Sequence, residues 1–92
     1  MKNLVIQLTE LVQSKFESLG YDKEYGKVEI SNRPDLCQYQ CNGALKAAKA
    51  YRKAPIAIAN EVAELLKQEE VFENITAVAP GFININIKDS FL

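Results

Sequence analysis

Ninety-two residues, 48% hydrophobic and 25% charged, suffice for one core, because chains above about 60 residues fold alone and this composition lies far from the low-hydrophobicity regime of disorder. A formal net charge of −1 excludes a strongly basic domain that adheres to any nucleic acid by counterion release, so any RNA contact must be local. Gln7, Thr9 and Glu10 interrupt the N-terminus before a signal-peptide core forms, and no stretch approaches the roughly 20 apolar residues of a membrane span, which makes the cytoplasm the simplest compartment.

Over residues 3–19, Leu4, Val5, Leu8, Leu11, Val12, Phe16 and Leu19 fall at the three-four spacing of one helix face. Gly20 follows where a left-handed C-terminal cap is commonly placed, and residues 21–26 are polar enough for a loop. Residues 27–30 alternate with period two, so Val28 and Ile30 would share one face of a short strand. Ser31-Asn32-Arg33-Pro34-Asp35 is turn chemistry, and a second strand over residues 36–40 follows it. Asn42 can cap a helix whose inner side carries Ala44, Leu45, Ala47, Ala48 and Tyr51, with Lys46, Lys49 and Lys53 along another face. Pro55 opens the next helix, where its missing N–H costs nothing; Ile58, Ala59, Val62, Leu65 and Leu66 form its stripe, and it ends near Gln68.

A strand over residues 75–78, the Pro80-Gly81 turn and a strand over residues 82–87 complete the pattern. In the last strand Ile83, Ile85 and Ile87 face the core, while Asn84 and Asn86 face water or a partner. The order αββααββ predicts a two-layer α+β domain, with helices packed on one face of a mainly antiparallel four-stranded sheet. Residues 1–92 read as a single domain, and residues 88–92 read as the start of a further element of a longer chain.

Catalytic chemistry has little to work with. Histidine, the usual general base near neutral pH, is absent, and neither GxxxxGK[ST] nor GxGxxG appears. Cys37 and Cys41, in a strand, would lie about 13 Å apart, too far for a disulfide, and a two-thiolate metal site would lack further ligands. They are expected as free thiols. Glu69, Glu70 and Glu73 read as solvated surface rather than a cation site. A binding surface remains: Lys46, Lys49, Arg52 and Lys53 suit phosphates, or form an ordinary solvated face. Just before them, Gln38-Tyr39-Gln40-Cys41-Asn42 offers an aromatic flanked by amides, a combination that suits an unpaired base, although Tyr39 reads equally as a half-buried core residue.

Gln38-Tyr39-Gln40-Cys41-Asn42-Gly43-Ala44, then Ala48-Lys49, Ala54-Pro55, Ile58-Ala59 and Val62, and finally Ala79-Pro80-Gly81-Phe82-Ile83-Asn84-Ile85 resemble the N-terminal additional domain of arginyl-tRNA synthetases (arginine tRNA ligases). The resemblance implies a parent enzyme that joins arginine to its tRNA through an arginyl-adenylate, using ATP and magnesium, on a downstream class I catalytic domain. The fragment itself is expected to hold no cofactor, metal or catalytic residue. It implies partners too: the D-loop at the outer corner of tRNA(Arg) and the catalytic domain of the same chain, with no DNA and no membrane. Carried over by motif, Tyr39 would stack, Gln38, Gln40 and Asn42 would supply amides, and Lys46 and Lys49 would meet phosphates. Many family members carry Phe-Gly-Asp-Tyr where this chain has Leu36-Cys37-Gln38-Tyr39. Asn42 has a rival explanation as helix N-cap and Pro80-Gly81 as plain turn chemistry. The competing function is intramolecular docking, through the Asn84/Asn86 face or the alanine-rich helix.

Overall fold

Asn3 opens the first helix: its side chain accepts a hydrogen bond from Ile6 N at 2.9 Å, satisfying one of the free amides of α1 (Leu4–Ser18). The computed structural model describes residues 3–91. Gly20, at φ 89°, ends the helix in a Schellman motif: its N–H donates to Glu17 O and that of Tyr21 to Phe16 O. The rings of Phe16 and Tyr21, 6.3 Å apart, supply the apolar contact that accompanies such a cap. Residues 23–26 form a short 3-10 turn rather than open loop.

The sheet is antiparallel throughout, in the order β1 (Glu29–Ile30), β2 (Tyr39–Cys41), β4 (Phe82–Ile87), β3 (Phe72–Val78). With α2 (Gly43–Tyr51) and α3 (Pro55–Leu66), this is the expected αββααββ order. Leu8, Val12 and Phe16 of α1 and Ile58, Val62 and Leu66 of α3 are buried with Ile75, Ile83, Ile85 and Ile87 of the sheet. Each such side chain contributes about 1.5–3 kcal/mol when removed from water.

Three strand bounds differ from expectation. The Arg33–Cys37 turn, closed by Leu36 N and Cys37 N on Arg33 O, delays β2, which starts at Tyr39 and takes in Cys41. β1 has only two paired residues, and Val28 and Ile30 part company: Val28 is buried and Ile30 is 71% exposed on an uncovered edge. β3 begins at Phe72, three residues early, because a register irregularity between Phe72 and Asn74 hides the alternation.

The start of α2 is held by close approach. A Cβ on Gly43 would lie 1.6 Å from Tyr25 O, and Cys41 Sγ donates to the same oxygen at 3.4 Å. Cys41 and Gly43 thus clamp the 3-10 turn, while Asn42 between them points outward and is exposed. Both cysteines are free and buried, and burial pushes the Cys41 thiol up to about 11.

Candidate nucleic-acid interface

Strand alternation divides the expected site between two faces. Tyr39 opposes Ile85 and Cys41 opposes Ile83, so the Tyr39 ring lies on the helix side, half-buried against the core. Gln40 opposes Asn84, on the side no helix covers. The ring of Tyr39 and the amides of Gln38 and Gln40 therefore cannot grip one nucleotide together.

The open face carries a strip of amides. Gln38 is committed to the fold: its N–H donates to Asn86 Oδ1 and its Oε1 accepts from Ile87 N, both at 2.8 Å. Asn86 Nδ2 in turn donates to Asn74 Oδ1 at 2.8 Å. Gln40 Nε2 donates to Asn84 Oδ1 at 3.0 Å, which leaves Gln40 Oε1 and Asn84 Nδ2 with no hydrogen bond among the described residues. One acceptor and one donor, fixed relative to each other, face outward. Phe82 shares this face two residues from Asn84, opposite Val78, which is 37% exposed. The alternation of residues 82–87 already carried this signal, since whatever put Asn84 and Asn86 outward put Phe82 there too.

On α2, Asn42, Lys46 and Lys49 are exposed at i, i+4 and i+7, one side of the helix. Asn42 stands at the N-cap position but its side chain makes no capping bond, so the structural rival for that residue is not realised. Lys53 does not continue the row. The helix ends at Tyr51, Arg52 turns the chain at φ 54°, and Lys53 Nζ folds back to Tyr21 Oη at 2.6 Å and Glu61 at 3.2 Å. Tyr21 Oη donates to Glu61 Oε1 at 2.5 Å. That hydrogen bond holds the Glu61 carboxyl below its ordinary value, the bonds to Tyr21 and Glu61 raise the Lys53 ammonium, and burial followed by Glu61 raises the Tyr21 hydroxyl. This triad ties the end of α1 to α2 and α3. Glu69 pairs with Lys15 at 2.7 Å. Among the described residues, no group of three or more Cys, Asp or Glu could hold a metal ion, and no helix is long and apolar enough to cross a membrane.

Fold and surface together define a two-layer α+β domain with one sheet face open. The sequence matches the family described as arginyl tRNA synthetase N terminal domain over residues 6–87, and the chain belongs to that family. It is 61% identical over its full length to an arginine–tRNA ligase of Alkaliphilus oremlandii and 52% identical, again over its full length, to one of Agathobacter rectalis. It spans 16% and 15% of those relatives' lengths. The fold is also that of part of Thermus thermophilus arginyl-tRNA synthetase, with a TM-score of 0.78 and 24% identity over 97% of this chain and 15% of that one.

Proposed function

We propose that this chain is the non-catalytic RNA-contacting domain of an arginine–tRNA ligase. It grips the D-loop at the elbow of tRNA(Arg) and helps position it for arginylation by a class I catalytic domain that uses ATP and magnesium, in the cytoplasm. The observation that carries the reading is the open sheet face, where Phe82, Asn84 and Gln40 bring a ring, a free donor and a free acceptor together. An unpaired base stacks on a ring and is read along its edge by amides. Asn42, Lys46 and Lys49 lie on the neighbouring helix flank, where lysines meet phosphates. Tyr39, behind the strand, supports β2 from the core side.

Phe82→Ala or Asn84→Ala in the full-length enzyme should raise the KM for tRNA(Arg) about tenfold, one stacked base being worth about 1–3 kcal/mol, with the KM for arginine unchanged. Tyr39→Ala should act mainly on stability. Wild-type tRNA kinetics in both sheet-face variants would remove the RNA reading of this face. Ile30 and Leu36, 71% and 58% exposed at the β1–β2 edge, favour a second role in docking against the catalytic body of the same chain. Under docking alone, Ile30→Asp would release the domain and the sheet-face variants would be silent.

A further inference from the structure

We propose that the cleft between the 3-10 turn and the start of α2 is a second RNA subsite, which seats the ribose–phosphate adjoining the nucleotide on the open sheet face. The proposal rests on the RNA-contacting reading above. The cleft encloses about 360 Å³ and is lined by Glu24, Tyr25, Lys27, Glu29, Asn42 and Lys46, with Gly43 at its floor. Its wall at Glu29 belongs to the sheet that carries the free amides. Glu29 opposes Gln40, and Gln40 opposes Asn84, so one cross-strand row runs from the free amides into the cleft wall, over two strand spacings or about 10 Å.

Lys15, Arg33, Lys53 and Lys67 sit in ion pairs with Glu69, Asp35, Glu61 and Glu64. Among the described residues, Lys23, Lys27, Lys46, Lys49, Arg52 and Lys88 have no ion-pair partner, and of these Lys27 and Lys46 line the cleft. The Asn42 side chain is likewise uncommitted. Two free ammonium groups suit a phosphate. Two carboxylates in the same lining, Glu24 and Glu29, oppose a bare polyanion but accept a hydrogen bond from a ribose 2′-hydroxyl, the group that tells RNA from DNA. A mixed lining of this kind fits a ribose–phosphate better than free phosphate.

The test is a ¹⁵N-resolved NMR titration of the 92-residue chain with an in vitro transcript of an arginine-accepting tRNA at several salt concentrations. The backbone amides of Asn42 and Gly43 should shift with the RNA. Lys27→Ala and Lys46→Ala should each weaken binding about three- to tenfold at low salt and reduce the slope of log Kd against log salt by about one. Lys67→Ala, remote from the cleft, should do neither, and all three variants should melt as wild type does. Unmoved Asn42 and Gly43 amides, or wild-type affinity and slope in both cleft variants, would overturn the subsite. If Phe82→Ala and Asn84→Ala still weakened binding, the sheet-face reading would survive that failure; if they too bound normally, both would fall together.

Discussion

Gly43→Ala tests whether the tight junction between β2 and α2 is as close as described. Taken as a helix substitution alone, replacing glycine by alanine in the first turn should stabilise the chain by about 0.5–1 kcal/mol. Here the new Cβ meets the Tyr25 carbonyl oxygen at 1.6 Å and its carbon at 2.5 Å, and both belong to backbone that no rotamer change can move. Overfilling a packed site costs about 1–3 kcal/mol. Relieving the clash must also draw α2 off the 3-10 turn and break the contact of Cys41 with the same oxygen. The steric cost should exceed the propensity gain, leaving a net loss of about 2 kcal/mol. For a domain of this size about 1 kcal/mol moves the midpoint by about 4–8 °C, so a fall near 10 °C is expected. Thermal and urea melts followed by circular dichroism read it out, and a midpoint equal to or above wild type would refute the clamp.

Tyr21→Phe removes the hydroxyl that joins Glu61 to Lys53 and should cost about 1 kcal/mol at pH 7. The Glu61 carboxyl is held below its ordinary value of 4.5, so its contribution is present above that pH and is lost as pH falls through the folded value. The gap in melting temperature between wild type and Tyr21→Phe should therefore narrow on acidification, and a gap independent of pH would contradict the triad. Asn42→Ala should change stability by less than about 0.5 kcal/mol, against about 1 kcal/mol for a true N-cap; urea titration separates the two. Cys41, buried and with its thiol pushed up to about 11, should resist alkylation at pH 8 until the chain is denatured, as timed thiol counting would show.

Elements with unbroken periodicity were readable from sequence. The α1 and α3 stripes and the strict alternation of residues 82–87 each bury the face they announce, and Gly20 caps α1 directly after its last apolar residue. The misplaced bounds have local causes. Pro34 starts a turn that runs to Cys37 and so displaces β2, and the irregularity between Phe72 and Asn74 breaks the pattern of β3. In the candidate site, the residue types were legible but their partnership was not. Neighbours in a strand point to opposite faces, so Tyr39 separates from Gln38 and Gln40, and Gln40 finds its companions 44 residues away at Asn84. Cross-strand register, which creates that company, is not visible in local composition. Lys53 departs from the basic row for a related reason: nothing near it in sequence reveals that Tyr21 and Glu61 draw it away.

Footprinting of the tRNA(Arg) D-loop on the full-length enzyme, with this domain intact and with it carrying Phe82→Ala and Asn84→Ala together, addresses the RNA contact most directly. Protection of D-loop nucleotides by the intact enzyme, lost in the double variant while acceptor-stem protection persists, is the expected result. A D-loop equally reactive with and without the intact domain, or equally protected by the double variant, would contradict a nucleotide held on the open face of the sheet.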